Sequence, residues 1–337
     1  MKNLIYAAIA TASFINIAFA EVSPGLNGAT GNIFKVDLKA QTFELLKQTE
    51  YDPKTDIGKS RFTVYWNEKT EISAVTKNAK SEIIKTERIE VTALAKGFWQ
   101  ATLQGAQEGE RFVVQSMQVT GLEDPRATDD PKLPRVLVIG DSISMNYHEA
   151  AKVALKGIAN YHRNEGNSFS SVHGVSNAEL WLGDYQQKGL HWDVIQFNHG
   201  LHDLKQTYDK KTDSFGDYAV PLERYKESLE KEIAILKKTG ATLIWCTTTP
   251  VPQDNKSQYA RRKGADVVFN QAAAEVMQRH PEILVTDLHE VVNKSPICDN
   301  WRKGIDVHFY QKPEQDLLGA AVAETVKTAL SGRKNNF

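Results

Sequence analysis

Two cysteines among 337 residues are too few for a disulfide-rich scaffold. Charge bias is equally scarce: 41 Lys and Arg stand against 42 Asp and Glu, which leaves no basic excess for nucleic acid. Past the N-terminal stretch no apolar run approaches the roughly 20 residues that a membrane span needs. There is no Gly-rich phosphate loop, no His/Cys/carboxylate run at metal-ligand spacing, no internal repeat and no low-complexity tract. These absences argue against nucleic acid as a partner and imply no metal and no organic cofactor.

What is present begins with an export signal. Lys2 supplies a positive charge, Leu4 to Ile17 a short apolar core, and Ala18-Phe19-Ala20 a small-x-small cleavage pattern. Residues 1–20 therefore read as a signal peptide cleaved near Ala20/Glu21. The expected location is the periplasm or the medium, with no membrane segment in the mature form; an uncleaved anchor is the alternative. In such an oxidising compartment Cys246 and Cys298 could pair, the alternative being two separate thiols.

The remaining chain divides by texture. Residues 21–122 carry short alternating segments: Ile33 to Leu38, Arg61 to Trp66, Arg88 to Ala93, Trp99 to Leu103 and Arg111 to Met117. A period of two with β-branched content predicts half-buried strands, and a small antiparallel β-sandwich is the expected architecture. A proline- and acid-rich linker follows at 123–134. From 135 to 332 strands alternate with helices, which predicts a parallel sheet with covering helices, an α/β domain. Arg135 to Ile139, Trp192 to Asn198, Ala241 to Cys246 and Glu282 to Thr286 are the strands. Helices are expected from about Tyr147 to Leu155, over Leu222 to Leu236, over Val267 to Met277 and over Leu317 to Leu330. The tryptophans at 66, 99, 181, 192 and 245 read first as packing residues.

Three stretches of this second region carry chemistry. Gly140-Asp141-Ser142 ends a buried strand, where open α/β sheets place their ligands. Asn198-His199-Gly200-Leu201-His202-Asp203 follows the next long strand, and Asp306-Val307-His308 precedes the last helix. In this order and spacing they resemble the SGNH, or GDSL-type, serine hydrolase superfamily, in a branch with Gly-Leu-His-Asp where Gly-x-Asn-Asp is usual. The resemblance covers about residues 134–332 and implies a three-layer, flavodoxin-like hydrolase domain.

Carried onto this sequence, the resemblance makes Ser142 the nucleophile and His308 its base. A neutral hydroxyl needs such a base, and imidazole titrates near neutrality. The family places its aspartate three residues before the histidine, but that position here is Ile305. Asp306, two residues before, points to the same side in an extended segment and is the expected third member. The alternatives are Asp299 in the same loop, or a Ser-His dyad oriented by a backbone carbonyl. The expected oxyanion donors are the Ser142 and Ser168 backbone N–H groups and the side chain of His202, with Gly174 and Gly166 as alternatives to Ser168. His202 is expected to be able to carry charge near neutral pH, with Asp203 fixing its tautomer. Asn198, His199, Asn167, Gly174 and Arg163 are candidate substrate contacts, Arg163 as a clamp for a carboxylate or sulfate.

The expected function is that of a secreted carbohydrate esterase removing O-acetyl groups from a polysaccharide or oligosaccharide, with the carbohydrate ester as its partner. A hydrolase of sulfate or other charged carbohydrate esters is one alternative. A non-catalytic glycan-binding protein with a vestigial site is the other.

Overall fold

The computed structural model describes residues 25–47 and 60–334; the expected signal peptide lies outside the described residues. The first region is built from β1 (Thr30–Asp37), β2 (Thr42–Leu46), β3 (Arg61–Tyr65), β4 (Glu71–Lys77), β5 (Ile83–Arg88), β6 (Phe98–Glu108) and β7 (Arg111–Leu122). Alternate residues of β3 and β7 are buried, as the period of two requires. Their inward side chains meet in one core that includes Ile33, Phe43, Leu45, Phe62, Val64, Leu103, Val114 and Val119.

Two expectations for this region change. The seven strands form a single sheet in the order β3-β2-β1-β6-β7-β4-β5, and β3 also pairs with β7, so the sheet closes on itself instead of splitting into a two-sheet sandwich. The long β7 makes this possible: Phe112 and Val113 pair with β3, and Ser116 to Val119 with β4. The segment Arg88 to Ala93 is not a strand, because β5 ends at Arg88 and Val91–Lys96 winds into a 3₁₀ turn that buries Leu94. Trp66 stacks on Phe43 at 6.1 Å, and Trp99 donates its indole N–H to the Ala93 carbonyl, so both are packing residues.

After residues 123–134 the second region runs β8 (Arg135–Ile139), α1 (Ser142–Ala154), β9 (Asn160–Arg163), α2 (Ser171–Leu182), β10 (Val194–Phe197), β11 (Gln206–Asp209), β12 (Ser214–Tyr218), α3 (Leu222–Lys237), β13 (Thr242–Cys246), α4 (Ala265–Met277), β14 (Leu284–Thr286), α5 (Leu288–Lys294) and α6 (Lys312–Lys334). Five strands form a parallel sheet in the order β14-β13-β10-β8-β9. Counted within this region the order is 2-1-3-4-5, the flavodoxin-like arrangement. Every residue of β8 and β10 is buried, which is why they read as unbroken apolar runs. α1 packs on α6, while α2 packs on α3 and α3 on α4, the two groups expected of the two faces of a doubly wound sheet. Strand order reverses between β8 and β10, and the chain segments leaving those two strands carry Ser142 and His202. Among the described residues no helix is long and apolar enough to cross a membrane.

Candidate active site

β8 ends at Ile139, and after Gly140 the chain turns at once into α1, earlier than the expected start near Tyr147. Asp141 causes the early start: its side chain accepts the Ile143 N–H at 2.9 Å and caps the helix. Ser142 is thus the first helical residue, and its own N–H, in the first turn, has no acceptor within the helix. The Ser142 hydroxyl lies 2.8 Å from Nε2 of His308, and Nδ1 of His308 lies 2.7 Å from Oδ1 of Asp306. A carboxylate can only accept, so the proton sits on Nδ1 and Nε2 faces the serine hydroxyl as an acceptor.

The loop bearing His308 is held from three sides. Trp301 donates its indole N–H to the His308 carbonyl at 3.0 Å, Asn146 of α1 accepts the Phe309 N–H at 3.0 Å, and the Trp301 and Phe309 rings stack 4.5 Å apart. Asp306 also accepts the His308 backbone N–H and the Tyr310 hydroxyl, each at 3.0 Å. Partial burial pushes the Asp306 carboxyl up, but these bonds outweigh it and hold it below its ordinary range. Ile305, where the family pattern puts the acid, is exposed, and Asp299 is taken by Arg302.

The oxyanion side requires corrections. The Ser168 N–H, the expected second donor, is already given to the Gly140 carbonyl at 3.2 Å. Gly174 lies inside α2, and its N–H is given to Ser170. His202 is not charged: burial first, then the Lys205 and Arg261 cations, push its pKa down to about 3. Asp203 does not fix its tautomer, because that carboxylate holds the Ser171 N–H and hydroxyl. Lys205 takes the role instead. Its ammonium, a donor only, lies 2.9 Å from Nδ1 of His202, which leaves the His202 proton on Nε2.

His199 is not a substrate contact. It is fully buried, with Nε2 2.9 Å from the equally buried Glu232 of α3 and Nδ1 3.3 Å from the Phe169 carbonyl. The Nε2–H points off the carboxylate oxygens, so the contact is an ion pair more than an aligned hydrogen bond. Burial alone would lower the His199 pKa, but Glu232 and then Asp203 outweigh it and raise it to about 9. A cationic imidazole therefore sits under the loop that carries Phe169, whose ring edge meets His202 at 5.2 Å. Two glycines make room. A Cβ on Gly174 would stand 2.4 Å from Nε2 of His199; one on Gly200, at φ +152°, would stand 1.9 Å from the Thr248 hydroxyl.

The remaining candidates each have a partner within the fold. The Arg163 guanidinium is tied to the Ser144 hydroxyl at 2.8 Å and to the Asn164 and Gly166 carbonyls, one bond from each of its three nitrogens. Asn167 accepts the Phe169 N–H and so supports that residue at φ +49°. Asn198 ties β10 to β13 through the Cys246 carbonyl at 2.7 Å. Cys246 and Cys298 are both buried free thiols, not a disulfide. Sequence reasoning passed over Asn146, Trp301, Lys205, Glu232 and Arg261. Only Lys205 left a usable signal, a cation three residues past the histidine of Gly200-Leu201-His202-Asp203.

No protein-family model and no curated protein matches the chain. Among solved structures it is similar to an acetyl xylan esterase, AlAXEase, at 15% identity and a TM-score of 0.42, over 57% of this chain and 99% of that one. A GDSL-like lipase from Bacteroides thetaiotaomicron is 13% identical with a TM-score of 0.40, over 58% of this chain and 88% of that one. The catalytic domain of peptidoglycan O-acetyltransferase A from Streptococcus pneumoniae is 19% identical with a TM-score of 0.38, over 60% and 96%. Likeness this distant leaves function to the geometry of the site.

Proposed function

We propose that the chain is an exported serine esterase of the SGNH kind that removes acyl groups, acetyl foremost, from an esterified polysaccharide or oligosaccharide. One observation carries the reading: Ser142, His308 and Asp306 stand in a single hydrogen-bonded line at the carboxyl end of β8, with links of 2.8 and 2.7 Å. In that line Ser142 Oγ attacks the ester carbonyl while Nε2 of His308 takes its proton, and Asp306 stabilises the imidazolium that forms. The Ser142 N–H and the Nε2–H of neutral His202 are the donors for the oxyanion. His308 then passes its proton to the departing sugar oxygen, leaving an acyl-serine. Water, deprotonated by His308, releases the acid and restores the hydroxyl.

Acetylated xylan and p-nitrophenyl acetate test the proposal, with acetate release measured for the wild type and Ser142→Ala. Release by the wild type, reduced by about 10⁴-fold or more in the variant, is expected. A wild type that binds glycan yet cleaves no ester points instead to a binding protein. Sulfate release from a sulfated polysaccharide would move the reading to the other ester.

A further inference from the structure

Beside His202 stand two cations, Arg261 and Lys205, the second of which also fixes the His202 tautomer. Arg261 is only 7% exposed. Its Nε donates to the Leu201 carbonyl at 2.9 Å, and among the described residues its two terminal nitrogens have no hydrogen-bond acceptor and no carboxylate within 4.0 Å. Lys205 is half-buried. Its ammonium meets only Nδ1 of His202 at 2.9 Å and the face of Tyr259 at 5.0 Å, and it too lacks an ion-pair partner among the described residues. The two charges are close enough that Arg261, after burial, helps push the Lys205 pKa down to about 8.

The carboxylates that act on this pair from further off are Asp141, Asp203 and Asp306. Asp203 holds Ser171 and Asp306 holds His308, while Asp141 caps α1 through Oδ1 and keeps a buried Oδ2 without a partner among the described residues. Bringing two desolvated cations together without a carboxylate in contact costs stability unless something else supplies the anion. His202, which Lys205 touches, also feels the charge of His308, and Arg261 that of Asp306.

From the unpaired fork of Arg261 and the neighbouring Lys205 we infer that the site carries an anion subsite for a carboxylate of the substrate, so that the preferred ester lies on a uronate-containing saccharide. The inference rests on the esterase reading and narrows its substrate. A planar carboxylate matches two free guanidinium N–H groups side by side, and the Lys205 ammonium adds a point charge. Tyr259, which is exposed, stands over the lysine as an outer wall.

The experiment uses an O-acetylated methyl glucuronoside, its neutral C6 methyl ester and the O-acetylated methyl glucoside, with acetate release followed. The readout is the ratio of kcat/KM for the acid to that for each neutral compound, in the wild type, Lys205→Gln and Arg261→Lys. A wild-type ratio of about tenfold or more is expected, since charge-assisted bonds are lost in the neutral compounds. It should fall with added salt and collapse towards one in both variants. If Arg261→Lys does not fold, Lys205→Gln carries the comparison. A wild-type ratio near or below one, or a ratio that survives both substitutions, overturns the subsite. Calorimetric titration of Ser142→Ala with glucuronate and with glucose separates the two readings. A protein inactive on every ester that still prefers glucuronate refutes the esterase and keeps the subsite. An active esterase whose Ser142→Ala form shows no such preference does the reverse.

Discussion

The molecule holds two histidine–carboxylate pairs built from the same chemistry and put to opposite uses. His308 and Asp306 sit at the surface, with 31% and 55% of their side chains exposed, and His199 and Glu232 have none. In the outer pair the carboxylate occupies one ring nitrogen and leaves the other facing Ser142, so the ring can give and take a proton. In the inner pair both nitrogens face protein groups, Glu232 and the Phe169 carbonyl, and the ring keeps its charge. What separates a base from a structural cation is therefore the second nitrogen and its access to solvent.

Substitutions in the two pairs should have different consequences. The largest effect belongs to the outer pair. His308→Ala should lower kcat by about 10⁴-fold or more and Asp306→Asn by about 10²- to 10⁴-fold, with thermal unfolding of both close to that of the wild type. A loss below about tenfold in Asp306→Asn would mean that the ring is oriented without the carboxylate. Next comes the inner pair. Glu232→Gln strands a buried imidazolium and should destabilise the protein by about 3–5 kcal/mol in urea unfolding, far more than any change at Asp306.

The pH dependence of stability distinguishes them again. His199 titrates near 9 in the folded protein against an ordinary 6.5, so the folded state holds this proton more tightly. Its contribution is complete below about pH 6.5 and is lost as pH rises through 9. Asp203, raised to about 6 by burial, works in the same direction, but its loss is over by neutrality. The stability difference between the wild type and His199→Gln should therefore shrink from pH 7 to 9.5; a constant difference would show that His199 is neutral throughout. The smallest effect is expected from Gly174→Ala. Its Cβ would crowd Nε2 of His199 at 2.4 Å, and overpacking of that kind costs about 1–3 kcal/mol.

Much of this was legible in the sequence where a residue's role depends on its near neighbours. β8 and β10 announce themselves as unbroken apolar runs because both faces are covered. Asp306 could be chosen over Ile305 because residues two apart share a side of an extended chain, and the structure places it 2.7 Å from His308. α2 was missed for a physical reason: Ser171 to Ala178 are all buried, so the helix shows no apolar stripe against a polar face. The Arg88 to Ala93 segment alternates like a strand, but nothing local reveals that Leu94 is drawn into the core by a 3₁₀ turn.

Roles set across the fold were not legible. Counting residues reached Ser168, but only the folded chain shows its N–H given to Gly140. Arg163 and Arg261 look alike in sequence. One is spent on Ser144 and two loop carbonyls, while the other keeps its terminal nitrogens free beside His202. The charge of each histidine was equally hidden, since His202 is neutralised by burial and nearby cations while His199, in the segment after β10, is charged by Glu232 of α3.

In the proposed reaction Ser142 is activated by His308 while His199 stays out of the chemistry. Reaction with a fluorophosphonate, followed by intact-protein and peptide mass spectrometry, tests it most directly. A single adduct on Ser142 is expected in the wild type, none in Ser142→Ala, labelling slowed by orders of magnitude in His308→Ala, and labelling retained in folded His199→Gln. An unlabelled wild type, an adduct on another residue, or labelling that survives the loss of His308 but not of His199 would contradict it.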